Sequence, residues 1–476
     1  MHSNYQNIVV MGFGNIGQAL SSLLRMRFIK EQILVIDEHL TPAMKEVIQR
    51  YAMAFLQIKI TQQNFNSVLS EHVGPRTLVL NLATSISSRD LITWTQSQGA
   101  YYLDTCIDPW EYQDGVVHTN ENSNYVMREE ILALIRNQDQ LRSSTGLKPS
   151  STAIVGHGAN PGFVSILAKQ GLLKMQQEFL QKTDVPTTQT QWAELAKALG
   201  VKIIQISECD TQATNVSRRS GEFVNTWSVD GYVAEALQPA ELGWGSHEES
   251  GPLATSIGRH TSGCRAAVYL KHMGVRCEVK SWAPAAGEFI GNLISHNEAI
   301  SLAHYFTLAN ENHPIYRPTV YYAYRPCKQA VESLRLLDCG DRSQIKSSRV
   351  LKEELVQGID ELGVLIVSDQ FPALWIGSQL SIERAKEMAP YNNATSLQVV
   401  GSIMAALEWM LQNTGCGIIE SESLDHAFIY QHAKAYWEPM VMQFHRWHPS
   451  GDQSCKNWTI DQFLSIVEST NTAVID

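Results

Sequence analysis

A chain of 476 residues exceeds one ordinary core, so roughly two or three domains are expected. Its 44% apolar and 18% charged residues describe a soluble globular protein, and no run approaches the roughly 20 uninterrupted apolar residues of a membrane span. The net charge of −11 argues against nucleic acid as a partner and suits cationic ones.

Residues 1–7 lack the basic and apolar regions of a secretory signal. Residues 8–11 read as an apolar strand that opens into Gly12-Phe13-Gly14-Asn15-Ile16-Gly17. A helix-compatible stretch follows over 18–27, then a second apolar strand over 33–36 that ends on Asp37. Strand, glycines, helix and delayed acid fall in the order of a dinucleotide-binding unit, with the acid about 20 residues past the last glycine. Gly12 permits the tight turn, Gly14 the approach of a pyrophosphate, and Gly17 the close packing of helix on strand. The helix N-terminus offers free N–H groups to the phosphates. Asp37 would accept both ribose hydroxyls and repel a 2′-phosphate, so NAD is the expected cofactor.

Further along, 44–53 reads as a helix, and 77–80, 101–107 and 152–155 as strands. This alternation implies a doubly wound parallel sheet of Rossmann type, the α/β part of the fold. Ligands bind beyond the carboxyl ends of such strands. The loops carrying Asn81-Leu82-Ala83-Thr84, Asp104-Thr105 and Asn160 are therefore expected to converge on the cofactor. The eight cysteines form no CxxC pair, which favours reduced thiols, a cytoplasmic location and no metal.

From about residue 202 the pattern changes. Strands over 202–209, 223–232, 267–270 and 275–282 suggest a second α+β domain on a mainly antiparallel sheet. A polar stretch at 342–348 reads as a surface loop, and 396–411 as an apolar helix that returns towards the first domain. The expected division is 1–160 for NAD binding, 161–395 for substrate and dimerisation, and 396–476 as a C-terminal segment. The aromatic tail beyond His426 shows no motif.

Several residues could carry chemistry. Alternation puts Glu208 on the face of Ile204 and Ile206, where a carboxylate is costly to bury unless paired or functional; a strand-end Glu reaching solvent is the plainer reading. Trp227 would share a strand face with Phe223 and Asn225, as a core residue or as a ligand platform. Glu235, the His296/Glu298 pair and Asp108 before Pro109-Trp110 are each compatible with a surface or turn role.

The segments Gly158-Ala159-Asn160-Pro161-Gly162, Glu208-Cys209-Asp210-Thr211-Gln212, Asn225-Thr226-Trp227-Ser228-Val229, Ser295-His296-Asn297-Glu298, Tyr316-Arg317-Pro318-Thr319 and Gly358-Ile359-Asp360-Glu361-Leu362-Gly363, taken in order with the glycine loop, resemble the bacterial homospermidine synthase family, itself similar in fold to saccharopine reductase. The resemblance implies a homodimer with tightly held NAD. It implies that Trp227 holds an amine or imine by cation–π contact and that Asn160, Glu208, Glu235, His296 and Glu298 line the inner part of a polyamine site. At the outer end the family often carries Glu where this chain has the shorter Asp108, and another outer acid is replaced by Ser85.

The reaction so implied is redox-neutral transfer of an aminobutyl group from putrescine, or spermidine, to putrescine through imines. Glu208 and His296 are both candidates for the base. A saccharopine- or carboxynorspermidine-type imine reductase would require arginines for substrate carboxylates. A non-catalytic NAD-sensing protein would not need Glu208, Trp227, Glu235 and His296 together.

Overall fold

The computed structural model describes residues 5–110, 123–149, 151–248, 256–310, 313–451 and 458–467. The first four residues of the N-terminal stretch, and 452–457 and 468–476 of the aromatic tail, lie outside them.

The N-terminal half begins with β1 (Asn7–Met11), α1 (Asn15–Arg27), β2 (Gln32–Asp37), α2 (Pro42–Arg50) and β3 (Ala54–Gln57). It continues through β4 (Thr77–Asn81), β5 (Tyr101–Asp104) and β6 (Thr152–Val155). These strands form a parallel sheet in the order β3-β2-β1-β4-β5-β6, extended by Gly417–Glu420 beside β6. Ile8, Val9, Val10 and Met11 are all buried, as expected of a strand covered on both faces. The order reverses between β1 and β4, which leaves a crevice at their carboxyl ends.

The second sheet has eleven strands in a largely antiparallel arrangement around β7 (Val201–Asp210). β7 lies between Thr319–Arg325, to which it is parallel, and Ile359–Ser368, to which it is antiparallel. Its residues alternate between two cores. Ile204 and Ile206 join the cluster that contains Phe163 and Leu167, whereas Ile203 and Cys209 face the cluster around Val279 and Tyr321. Glu208 therefore does lie on the face of Ile204 and Ile206.

Several sequence-based elements shift. The strand expected over 223–232 stops at Asn225, and Val229–Leu237 is a helix. Ser228 caps it by accepting from Gly231 N at 3.0 Å. Buried Val229, Tyr232, Val233, Ala236 and Leu237 recur at helical spacing, which overrides the β-rich composition. The strand expected over 101–107 ends at Asp104. Residues 347–348 of the expected surface loop belong to Ser347–Val350, a strand parallel to Glu222–Asn225.

Ala394–Gln412 is the apolar helix, N-capped by Asn393. It packs on α1, where Asn392 Nδ2 donates to Ala19 O at 2.9 Å and Arg27 pairs with Glu408. Among the described residues it is the one helix long and apolar enough to cross a membrane, and 83% of that stretch is buried. The tail returns to the second sheet: Met440–His445 pairs with Ala373–Ser381, and Leu464–Ile466 with Cys277–Ala283.

Candidate active site

The crevice of the first sheet is shaped by the glycine loop. Gly12 has φ +84°, and a Cβ there would lie 2.6 Å from Ala83 N, so both conformation and packing demand glycine. A Cβ on Gly14 would meet nothing within 4 Å, which leaves room for a phosphate against the backbone. Gly14 caps α1 without a side-chain hydrogen bond, and both amide atoms of buried Asn15 lack partners among the described residues. Asp37 is oriented by two backbone donors: Phe13 N at 2.6 Å to Oδ2 and His39 N at 2.8 Å to Oδ1. The open loop, orphaned amide and fixed acid fit a dinucleotide.

The other expected cofactor residues divide by role. Phe13 buries its side chain in the core and presents only backbone, while Ile16 is half-buried at the loop. A Cβ on Gly17 would strike Gly12 O at 2.7 Å, as a close helix–strand contact requires. Leu82 N donates to Met11 O at 2.8 Å, holding Leu82, Ala83 and exposed Thr84 beside the loop. Buried Asn81 donates to Tyr102 Oη at 3.3 Å, and its Oδ1 is unpartnered. Asp104 spends both oxygens within the protein: Oδ1 accepts from Gly156 N at 2.6 Å and Oδ2 from Tyr102 at 2.8 Å. It braces the β5 and β6 loops, and burial pushes its carboxyl up to about 7. Thr105 packs its methyl group near Gly158.

The loop at 156–162 carries Asn160 out of the first sheet. Gly162 has φ +132°, and a Cβ there would come within 2.2 Å of Gly158 O, so this tight loop admits only glycine. Asn160 Nδ2 reaches Glu208 Oε2 on β7 at 3.5 Å. Tyr322 donates to the same oxygen at 2.6 Å. Glu208 is 2% exposed, and burial raises its carboxyl to about 8, against the hydrogen bond from Tyr322 and the nearby His296.

Two further acids complete this floor. Asp210, two residues along β7, accepts from Thr226 Oγ1 at 2.7 Å and from Gln212 N at 2.8 Å. Asp360 faces it from the adjoining strand, accepts from Thr395 Oγ1 at 2.6 Å, and leaves Oδ1 unpartnered. Burial pushes both carboxyls up, and the mutual repulsion of Glu208, Asp210 and Asp360 adds to the effect at Asp360.

Trp227 stands above this floor in the turn before Val229–Leu237. Its Nε1 donates to Tyr324 Oη at 3.2 Å. A Cβ on Gly231 would come 2.9 Å from Trp227 Cζ3, so that glycine makes room for the indole. No described side-chain cation lies over the Trp227 ring.

His296 closes the cluster. Its Nε2 lies 3.1 Å from Glu235 Oε2 and its Nδ1 3.1 Å from Glu298 Oε1. Burial alone would lower its pKa, but the two carboxylates outweigh burial and hold it well above the ordinary histidine range. Asp108 sits on the Rossmann side, where it accepts from Cys106 Sγ at 2.8 Å. Burial, with repulsion from Glu235, pushes it up to about 6. A cavity of about 260 Å³ adjoins it, lined by Asp90, Trp110 and Glu130 among others. The structure thus gathers Asn160, Glu208, Trp227, Glu235, His296, Glu298 and Asp108 between the two sheets.

Residues 8–140 match the family described as Saccharopine dehydrogenase NADP binding domain, and 158–439 that described as Saccharopine dehydrogenase C-terminal domain. Homospermidine synthase of Blastochloris viridis is 38% identical over 452 residues, covering 93% of this chain and 92% of the relative. The chain belongs to the homospermidine synthase family. Homospermidine synthase of Mesorhizobium japonicum is 35% identical, covering 93% and 91%. The crystal structure of the Legionella pneumophila homospermidine synthase, solved in complex with NAD, superposes with a TM-score of 0.87 at 36% identity and covers 97% and 98% of the two chains.

Within this family member, four site residues escaped the sequence reading. Asp210 was legible as the next residue on the Glu208 face. Asp360 lay inside a motif that had carried only the resemblance. Tyr322 and Tyr324 share one face of an alternating strand whose pairing with β7 no local pattern discloses.

Proposed function

We propose that this chain makes homospermidine by moving an aminobutyl group from putrescine, or spermidine, onto putrescine, with NAD as the retained hydride carrier. The observation that carries this reading is the floor of Glu208, Asp210 and Asp360. None of these acids accepts a hydrogen bond or ion pair from lysine or arginine among the described residues. Buried acids without a lysine or arginine partner ionise more readily beside an organic cation, whereas a substrate carboxylate would disfavour their ionisation further. This disfavours a saccharopine-type substrate despite the shared fold.

NAD, when bound, accepts a hydride from the carbon beside a substrate amine and returns it to the later imine. The glycine loop, Asn15 and Asp37 would hold it. A diamine with pKa values of about 10 arrives almost fully protonated, so the site must both attract the dication and remove a proton. Glu208 suits proton removal. His296, whose pKa Glu235 and Glu298 hold well above the ordinary histidine range, suits neutralising those acids better than serving as the base. Trp227 offers its π-face to the ammonium and then to the iminium carbon. Asp108 and the adjoining cavity are assigned to the outer amine, and Asn160 to orienting Glu208.

The division into 1–160, 161–395 and 396–476, a homodimer and a cytoplasmic location belong to the same reading. The packing of Ala394–Gln412 on α1 and the return of Gly417–Glu420 to the first sheet support the expected return of the C-terminal segment, and the free state of the seven described cysteines supports the cytoplasmic location. Anaerobic incubation with NAD and putrescine deuterated at its reactive carbons tests the reaction. Deuterium should appear in homospermidine without washing out into added NADH. Stoichiometric aldehyde and free NADH would instead mark an amine dehydrogenase.

A further inference from the structure

We infer that Tyr322 is the positioning residue that sets Glu208 as the base, by binding one carboxylate oxygen and leaving the other to the substrate amine. This rests on the reading of Glu208 given above. Tyr322 lies on Thr319–Arg325, opposite Ile206 of β7, while Tyr324 lies opposite Glu208. Parallel pairing puts the Tyr322 side chain one step behind Glu208 on the same face, and the length of the phenol spans that step. Its O–H donates to Glu208 Oε2 at 2.6 Å, within the range of a charge-assisted bond.

The ring is clamped on both sides. The His296 ring lies 4.6 Å away at 39°, and the Tyr324 ring stacks at 5.5 Å and 18°. Tyr322 is 2% exposed, and its hydroxyl meets the Asn160 amide as well as the Glu208 carboxyl. Asn160 approaches the same Oε2, and no described residue donates to Oε1. Proton exchange with substrate is thereby directed to Oε1.

The groups that bear on Glu208 come from several elements. Asp210 on β7 and Asp360 on the adjoining strand disfavour its ionised form, His296 at the start of Asn297–Tyr305 favours it, and the Tyr324 and Tyr232 phenols stand close by. Against burial and the neighbouring acids, the phenol hydrogen bond is the contact that most favours the carboxylate.

Tyr322→Phe keeps the clamped ring and removes only the O–H. The protonated carboxyl band of Glu208 is followed by infrared titration of the enzyme–NAD complex without diamine, and is identified by its loss in Glu208→Gln. Its midpoint should rise by about one pH unit in Tyr322→Phe, because a hydrogen bond to the charged form is lost. The loss in kcat/KM should be about tenfold below the midpoint and should vanish above it. An unmoved midpoint, or a rate loss equal at every pH, overturns the proposal.

Should Tyr322→Phe fail to fold, 3,5-difluorotyrosine at position 322 decides. A more acidic phenol donates more strongly and should lower the midpoint; a midpoint that stays or rises overturns the proposal. The infrared arm requires no turnover, so it judges Tyr322 even if putrescine proves not to be the substrate, a failure that the wild-type product assay would reveal separately.

Discussion

Asn160 Nδ2 lies 3.5 Å from Glu208 Oε2, joining the loop after β6 of the parallel sheet to the central strand of the antiparallel one. Through this contact the carboxyl-end crevice that suits a dinucleotide and the acidic floor that suits an amine become one site. In the proposed reaction, hydride transfer and proton removal would then act on the same substrate nitrogen and its neighbouring carbon.

We expect cofactor choice to rest on Asp37, which the loop amide of Phe13 and the amide of His39 hold in place. Asp37→Ala should weaken NAD binding about tenfold, the scale of a charged hydrogen bond, and narrow the preference over NADP. Calorimetric titration with each nucleotide measures this. Wild-type protein that binds NADP as tightly as NAD would refute it.

Trp227 should act through its π-face. Trp227→Leu should lower kcat about 30-fold, the equivalent of ~2 kcal/mol of desolvated cation–π stabilisation, with NAD affinity intact. Trp227→Phe should retain part of the activity. Equal losses in both variants, measured by product mass, would assign Trp227 to packing.

For Glu208 the pH dependence has a defined sign. Burial raises its carboxyl to about 8, so the ionised base is scarce at neutrality and gains population as pH rises. Turnover should therefore increase between about pH 7 and about pH 9. Glu208→Gln should lose about 100-fold or more in kcat and also lose this inflection. Weaker putrescine binding with an unchanged profile would leave Glu208 as an ammonium anchor only.

Stability should move the opposite way. Asp104 and Glu248, each raised to about 7, and Glu208, raised to about 8, have folded values above their unfolded ones. Their contribution is complete below the unfolded carboxyl range and is lost as pH rises through the folded values. His296, also raised, has the same sign. His157, His247, His304 and His445 are lowered to about 4, so their contribution grows through about pH 6.5 and is complete above it. Above neutrality those histidines no longer titrate, while Lys169, lowered to about 8 by burial, opposes the acids only from about pH 8 upwards, so Tm without ligand should fall between about pH 7 and about pH 8. A rising Tm in that window, by scanning calorimetry, would contradict these burial effects.

The chain itself determined the features set by neighbours in sequence. The glycine loop with Asp37, the parallel strand run, the apolar helix at Ala394–Gln412 and the inward face of Glu208 follow from spacing and alternation, because local sterics fix those periods. The helix at Val229–Leu237 was equally local, but its i, i+3, i+4 pattern was masked by β-favouring residues.

Only the tertiary structure decided which acids meet. Asp360 reaches Asp210, and Tyr322 reaches Glu208, through strand pairings that depend on chain closure over long separations. The raised pKa of His296 likewise required Glu235 to arrive from a different helix, opposite the sequence-local Glu298. Charge in a buried site depends on desolvation and on neighbours distant in sequence, and no single stretch of residues encodes either.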